Sequence, residues 1–330
     1  MVTWFEQLFG FAERSYEETQ ARFELEGETL RSTANDRTFA VGRFATPPLA
    51  ELRAEAHGLR PGRLRLRHVV IGDVLELHAL PENEGALFQA ASQLNCLEFA
   101  GPGEVPEDGI TQYDDDPTQG PACALAAAAA TVVRNYFVEV DGERGQRRDR
   151  QLNNLAALQA ALGPAGRLVE VRNGYTFSDA PRLRELNAEL AHHDREALMG
   201  HLAIGLHCDV GVTFARRFVE PVEPRRVSQA YCSALSCGYT GGGKELWAPL
   251  ATLVLEAAYE ATLWAAVLDA ARDRGSGKVW LTALGGGAFG NDLGWIAGAM
   301  SRAVTLARDR DLEVNVAHYR RLDPIIGSVA

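Results

Sequence analysis

Residues 278–292, which read K-V-W-L-T-A-L-G-G-G-A-F-G-N-D, constrain the fold more than any other stretch. An apolar run rich in strand formers is followed at once by the three glycines 285–287, and Asn291 and Asp292 supply N-cap chemistry for a helix beginning near Leu293. The order predicts a strand, a glycine turn and a helix N-terminus. Such a turn suits an anion, because glycine lets the backbone approach and free amides face the charge. The alternative is a turn that only reverses the chain.

Composition and charge are those of a globular protein. The 330 residues are 46% hydrophobic and 23% charged, enough for one large domain or two ordinary ones. The formal net charge of -11 argues against a nonspecific nucleic-acid surface, because neutralising phosphates needs clustered Lys and Arg. A nucleotide held by backbone amides remains compatible with this charge.

The cysteines and the apolar stretches indicate a cytoplasmic protein with reduced thiols. No secretory signal is recognised near the N-terminus, and no apolar run reaches the roughly 18 residues of a membrane helix. The cysteines form no C-x-x-C pair, so we expect buried thiols and no metal site. The five cysteines are Cys96, Cys123, Cys208, Cys232 and Cys237.

Strand and helix patterns alternate along the chain, which favours an α/β sheet covered on both faces. Asn173-Gly174 is a strong hairpin signal. No internal repeat and no linker is recognised, so we predict one domain at 61–330 after an N-terminal extension at 1–60. The main predicted elements are strands near 64–74, 86–91, 227–234, 278–284 and 312–318, and helices at 122–135, 247–271 and 293–308.

Three short stretches share the order of motifs in a known family. Residues 71–74, I-G-D-V, are similar to a G-D-I turn, and residues 87–95, L-F-Q-A-A-S-Q-L-N, to a strand ending in N-A-A-N. Residues 285–291, G-G-G-A-F-G-N, are similar to a G-C-G-A-F-G loop. Together they resemble the macrodomain family, the ADP-ribose-binding fold that also underlies poly(ADP-ribose) glycohydrolases. The resemblance covers about 64–318, with an insertion at about 139–222. It implies a three-layer α/β/α mixed sheet.

The resemblance also implies roles for residues. The acid of the first turn binds the adenine amine, the strand end lies near the distal ribose, and the glycine loop holds the diphosphate with Phe289 beside the ribose. For each stretch, turn or cap chemistry is the alternative. The predicted ligand-binding residues are Asp73, Val74, Ser92, Gln93, Asn95, Gln119, Gly120, Cys123, Gly285, Gly286, Gly287, Ala288, Phe289, Gly290 and Asn291.

The chain departs from the family pattern at the first phosphate loop. The matching place, 118–123, reads T-Q-G-P-A-C, with one glycine, and the Glu-Glu pair of the glycohydrolases is absent. Gln119 and the amides of Gly120 and Cys123 stand at a helix start, which is still predicted to cradle the diphosphate. Ser92 replaces an expected Asn, for which Asn95 is a substitute.

Without that pair, the candidate catalytic residues are the carboxyl groups near this loop: Glu98, Asp114, Asp115 and Asp116. Cleaving a glycosidic bond needs a carboxyl group beside an oxocarbenium-like centre. A solvated loop is the alternative for the acidic run. The sequence thus predicts a protein that binds ADP-ribose, free or on a macromolecule, and hydrolyses ADP-ribosyl linkages without a cofactor or metal. The alternatives are a non-catalytic reader module and another nucleotide or sugar-phosphate enzyme.

Overall fold

The computed structural model describes residues 2–272 and 275–330. The strands are β1 Phe23–Glu26, β2 Thr29–Ser32, β3 Thr38–Ala40, β4 Arg43–Ala45, β5 Arg65–Ile71, β6 Leu87–Ala91, β7 Glu139–Val140, β8 Glu143–Arg144, β9 Glu170–Arg172, β10 Tyr175–Phe177, β11 Gly205–Gly211, β12 Arg226–Cys232, β13 Lys278–Leu281 and β14 Glu313–Tyr319. The α-helices are α1 Trp4–Phe9, α2 Tyr16–Gln20, α3 Leu49–Ala56, α4 Val74–His78, α5 Gln119–Ala126, α6 Ala128–Tyr136, α7 Ala156–Ala161, α8 Ala180–Leu190, α9 Arg195–Gly200, α10 Lys244–Ala271 and α11 Leu293–Ala307.

Seven of these strands form one mixed sheet in the order β4-β11-β12-β6-β13-β14-β5. Strands β12, β6, β13, β14 and β5 run parallel, while β11 is antiparallel to both of its neighbours. Strand β6 joins the two halves of the parallel part, and its residues are almost entirely buried. The predicted mixed α/β sheet is confirmed.

Helices cover both faces of the sheet. Leu87 of β6 packs in a cluster with residues of α10 and α11, whereas the next residue, Phe88, packs with Cys123 and Ala127 on the other face. Because successive side chains of a strand point to opposite faces, one strand serves both cores. The three-layer α/β/α arrangement that the sequence predicted follows from this packing.

Helix α10 is the main support of one face. Among the described residues it is the helix long and apolar enough, by length and composition, to cross a membrane. Within the fold, however, 83% of its apolar window is buried. Its apolar length is therefore accounted for by the core.

Residues 1–60 take part in both the sheet and the packing. Strand β4 pairs with β11 at the sheet edge. Trp4 and Phe5 of α1 share a buried cluster with Val132 and Tyr136 of α6. The domain boundary near residue 60 and the insertion at about 139–222 stay predictions.

The predicted helix at 122–135 is two helices. Ala127 separates α5 from α6 with φ -126° and ψ 57°, values outside the helical region. The hydroxyl of Thr131 donates to the carbonyl of Ala124 at 2.8 Å and so takes up one of the acceptors left at the break. The alanine-rich sequence has no proline or glycine to mark the break, so the pattern predicted one helix.

Candidate functional site

Two cavities meet beyond the carboxyl ends of the parallel strands, where open α/β sheets place their ligands. Cavity A, of about 650 Å³, is defined by Asp73, Phe88, Asp114, Trp280 and Tyr319 among its walls. Cavity B, of about 230 Å³, is defined by Ser92, Glu98, Tyr175, Gly287 and Phe289. The residues that line both cavities are Asp116, Thr118, Gln119 and Thr282.

Cavity A combines a carboxylate with aromatic walls. Asp73 caps α4, since its Oδ1 accepts the N–H of Leu75 at 2.9 Å, and it also lines the cavity. Val74 lines the same cavity. Tyr319, which is largely exposed, supplies aromatic surface to the cavity, whereas the ring of Phe88 is fully buried and stacks on His78. The walls therefore suit a flat apolar group with a hydrogen-bond donor at one edge.

The glycine loop forms one wall of cavity B. Gly285 has a φ of +67°, and an added Cβ would overlap the Cβ of Ala234, so only glycine fits. Within the described chain, no backbone or side-chain acceptor takes the N–H of Gly287, Ala288 or Phe289. Helix α11 begins two residues after the loop, capped by Asp292 as predicted. The loop thus presents open amides beside a helix N-terminus.

The other residues of this loop hold its shape. Asn291 is buried, and its Nδ2 donates to the carbonyl of Leu235 at 2.8 Å. Gly286 faces a third cavity of about 240 Å³ beside His318. Gly290 has a φ of +71° and packs against Gly238. These predicted ligand-binding residues therefore lie behind the surface that faces cavity B.

Helix α5 reaches strand β6 through Gln119 and Gly120. The side-chain oxygen of Gln119 accepts the N–H of Ala91 at 2.7 Å, and its Nε2 donates to the carbonyl of Gln89 at 2.8 Å. An added Cβ on Gly120 would overlap the carbonyl oxygen of Ala91 and Oε2 of Glu98. Gln119 and Gly120 line cavity B.

Cys123 lies elsewhere. Its side chain is fully buried in the cluster that contains Phe88 and lines neither of the two cavities. Burial raises the pKa of the Cys123 thiol well above its ordinary value, so the group stays neutral. The residue packs α5 onto the sheet.

The segment from Ser92 to Asn95 shapes a loop. Ser92 and Gln93 line cavity B, but the Gln93 side chain is bonded to Phe99, donating to its carbonyl at 2.8 Å and accepting its N–H at 3.1 Å. Asn95 lies outside both cavities, where its Nδ2 donates to Gln151 Oε1 at 2.8 Å. These polar groups hold the loop that carries Glu98.

Glu98 is a buried acid facing cavity B. Only 2% of the residue is exposed, and its Oε1 has no hydrogen-bond partner among the described residues. Burial raises its pKa to about 8; Ser92 and Arg134 act against this shift, and the charge of Asp116 adds to it. The carboxyl therefore keeps its proton at neutral pH, as a general acid requires.

The three residues of the acidic run, 114–116, lie in different surroundings. Asp116 lines both cavities, and its Oδ1 accepts the N–H of Thr118 at 2.9 Å. Asp114 lines cavity A alone, 4.0 Å from Arg217, and burial followed by the charge of Asp115 raises its pKa. Asp115 is exposed and lines neither cavity. Of the four candidate acids, Glu98 and Asp116 are the two that line cavity B.

Two aromatic residues of cavity B were not among the predicted site residues. Tyr175, on β10, and Tyr239 form a cluster with Phe289, with ring centroids 5.1 to 5.9 Å apart. The Asn173-Gly174 signal correctly predicted the β9–β10 hairpin. Nothing local in the sequence indicates that this hairpin packs against the glycine loop.

The sequence matches no protein-family model and no curated protein. Solved structures similar to this chain are bacterial poly(ADP-ribose) glycohydrolases. The enzyme from Thermomonospora curvata, bound to the inhibitor ADP-HPD, aligns over 94% of this chain and 95% of its own, with 15% identity and a TM-score of 0.44. The enzyme from Deinococcus radiodurans, in complex with ADP-ribose, aligns over 87% and 91%, with 13% identity and a TM-score of 0.46. At such values no residue role is transferred.

The close approach of α5 to β6 predicts a cost for enlarging Gly120. Gly120→Ala is expected to lower the free energy of unfolding by about 1–3 kcal/mol, because the methyl group has no room in the junction. Gly287→Ala is the matched control, since an added Cβ there meets nothing within 4 Å. Denaturant unfolding measures both variants. An equal decrease in the free energy of unfolding of the two variants would contradict a tight junction at Gly120.

The raised pKa of Glu98 predicts a pH dependence of stability. Between its ordinary value of 4.5 and about 8, the native carboxyl holds a proton that the unfolded chain has lost. The free energy of unfolding should therefore fall with rising pH across this window. Glu98→Gln cannot titrate, so its stability relative to wild type should increase up to about pH 8 and then level off. Urea unfolding at several pH values measures both proteins. If the free energies of unfolding of wild type and Glu98→Gln changed with pH in parallel, a buried, protonated Glu98 would be excluded.

Proposed function

We propose that this protein binds ADP-ribose across cavities A and B and hydrolyses the ADP-ribosyl linkage in cavity B. One observation carries the proposal: a buried carboxyl group with one unpartnered oxygen faces the same cavity as a glycine loop with open amides. The first group suits proton transfer to a leaving atom, and the second suits an anion. A ligand with a diphosphate next to a glycosidic bond needs both.

The diphosphate would lie between the glycine loop and the start of α5. Gly287 and Ala288 offer N–H groups on one side, and Gly120 lines the other. The positive end of the α11 dipole adds to the attraction. Cationic side chains are not required, which agrees with the net charge of -11.

The adenine would occupy cavity A. One oxygen of Asp73 caps α4, and the carboxylate has a second oxygen with which to accept a hydrogen bond from the adenine amine. Phe218 and Tyr319, which line this cavity and keep accessible surface, supply apolar walls for the base. The distal ribose would then lie in cavity B beside Phe289.

The proposed reaction uses two carboxyl groups. Glu98 gives its proton to the leaving atom as the bond from that atom to the anomeric carbon breaks. Asp116, when ionised, takes a proton from the water that attacks the same carbon. Tyr175 and Phe289 shield the oxocarbenium-like centre from other nucleophiles. The products are ADP-ribose and the protonated leaving group.

One observation favours a second candidate, a non-catalytic reader. The Glu-Glu pair that the resemblance places at the first phosphate loop is absent from 118–123. A reader would use the same two cavities without the chemistry. The carrier of the ADP-ribose and a cytoplasmic location stay predictions in either case.

Binding tests the proposed diphosphate contact. Gly287→Glu places a carboxylate among the open amides, and it should weaken ADP-ribose binding at least about 100-fold, since like charges in contact cost several kcal/mol. Gly287→Ala adds only a methyl group in open space and should bind within a few-fold of wild type. Isothermal titration calorimetry measures all three proteins. Unchanged affinity in Gly287→Glu would remove the loop from the binding site.

Hydrolysis separates the enzyme from the reader. Glu98→Gln should bind ADP-ribose normally but release it from ADP-ribosylated protein or poly(ADP-ribose) about 10²–10⁴-fold more slowly, because the proton donor is lost. Asp116→Asn should also be slow, whereas Asp115→Asn, which changes an exposed acid, should match wild type. The wild-type rate should fall as pH rises past about 8. Binding without any release would favour the reader, and full activity in Glu98→Gln would exclude that acid.

A further inference from the structure

The N-terminal segment contacts the acidic loop mainly through one carboxyl group. Glu13, between α1 and α2, accepts the N–H of Ile110 on both oxygens, at 3.0 and 2.9 Å. Its Oε2 also accepts the N–H and the hydroxyl of Thr111, each at 2.6 Å. Its Oε1 accepts the hydroxyl of Tyr136 at 2.6 Å. One side chain thus ties residues 110 and 111 to α6.

The surroundings of Glu13 suit a side chain with two acceptor oxygens. The two backbone N–H groups can only donate, and a side-chain amide has one acceptor oxygen for them where the carboxyl group has two. The fit is close on the backbone side, because Gly109 has a φ of +78° and an added Cβ would lie 2.5 Å from the carboxyl carbon of Glu13. The indole of Trp4 adds a bond to the carbonyl of Thr111 at 2.7 Å.

The loop held by Glu13 leads directly to the candidate acids. Thr111 begins a 3₁₀ helix, Thr111–Asp115, in which Tyr113 is buried. The hydroxyl of Tyr113 accepts the backbone N–H of Glu98 at 2.8 Å. Asp116, which lines cavity B, follows at the end of this helix. The segment therefore supports the Glu98 backbone and carries Asp116 to the cavity.

We infer that Glu13 is a positioning residue for Glu98 and Asp116, which makes the N-terminal segment part of the candidate active site. The inference rests on the proposed function for the reaction that these acids perform. The geometry itself, a four-donor clamp on the segment that touches Glu98, is independent of that function.

The clamped segment contacts Glu98 directly, so we expect the clamp to affect how far water reaches the Glu98 carboxyl. Only two of the charged or titratable groups that act on Glu98 or feel its charge, Tyr113 and Asp116, lie on the clamped segment. Loosening that segment should hydrate the carboxyl and bring its ionisation closer to that of an ordinary Glu. The charged or titratable groups that act on Glu98 or feel its charge are Arg134, Asp116, Tyr113, Cys96, Cys123, Tyr175 and Tyr231.

The test compares Glu13 variants of the full chain with Glu18→Gln, which removes the same charge from an exposed neighbour in the same segment. In Glu13→Ala and Glu13→Gln, the Glu98 titration midpoint, followed by carboxyl NMR, should move down by about one pH unit. The kcat should fall at least about tenfold while KM and the Kd for ADP-ribose stay within about threefold. Glu13→Asp keeps two acceptor oxygens and should lie closer to wild type. Glu18→Gln should change nothing.

The outcomes separate this inference from the proposed function. If wild type neither binds nor cleaves, the proposed function fails, and the Glu98 titration still decides the role of Glu13. An unchanged midpoint in the Glu13 variants would overturn the inference, even if their melting temperatures fall. Should they not fold, Tyr113→Phe removes only the hydroxyl at the other end of the clamp. An unchanged Glu98 midpoint in that variant would overturn the inference equally.

Discussion

The burial of Glu98 is the constraint on which the arrangement of this site depends. Moving an unpaired carboxylate from water into the protein interior costs several kcal/mol of free energy. A buried acid therefore keeps its proton instead. Oε1 of Glu98 has no hydrogen-bond partner among the described residues, and the pKa rises accordingly. The surrounding backbone must then be held rigidly, because any opening would let water restore the charge. The bonds of Gln93 to Phe99, the absence of a side chain at Gly120 and the clamp at Glu13 all meet that need.

The two cavities differ in the chemistry of their walls. Cavity A offers aromatic surface and the carboxylate of Asp73, whereas cavity B offers open amides and a protonated acid. The strands that end here belong to the parallel part of the sheet, so all of these groups collect at one edge. The proposed function therefore needs no cationic side chains at the loop, even in a protein of strongly negative charge.

The sequence predicted the local features well and the long-range ones poorly. The glycine turn and the Asp292 cap follow from conformations that a few neighbouring residues decide, and the structure contains both. Glu98 was predicted as a catalytic candidate because it has a carboxyl group. Its burial, which raises its pKa and keeps it protonated, was not predicted. Asn95 is buried and turns away from both cavities because it bonds to Gln151, which lies far away in the sequence. The contacts of Glu13 with residues 110, 111 and 136 could not be predicted for the same reason.

The order of strands in the sheet also bears on how the chain is made. Strand β5 lies at the edge of the sheet and pairs with β14, which comes near the end of the sequence. During synthesis the ribosome releases β5 long before its partner exists, so the nascent strand must wait with its hydrogen-bonding groups unpaired. Such delayed pairing slows folding and exposes strand edges to other chains. The exposed arginines Arg65 and Arg67 on β5 give that waiting strand a charge that discourages such contacts.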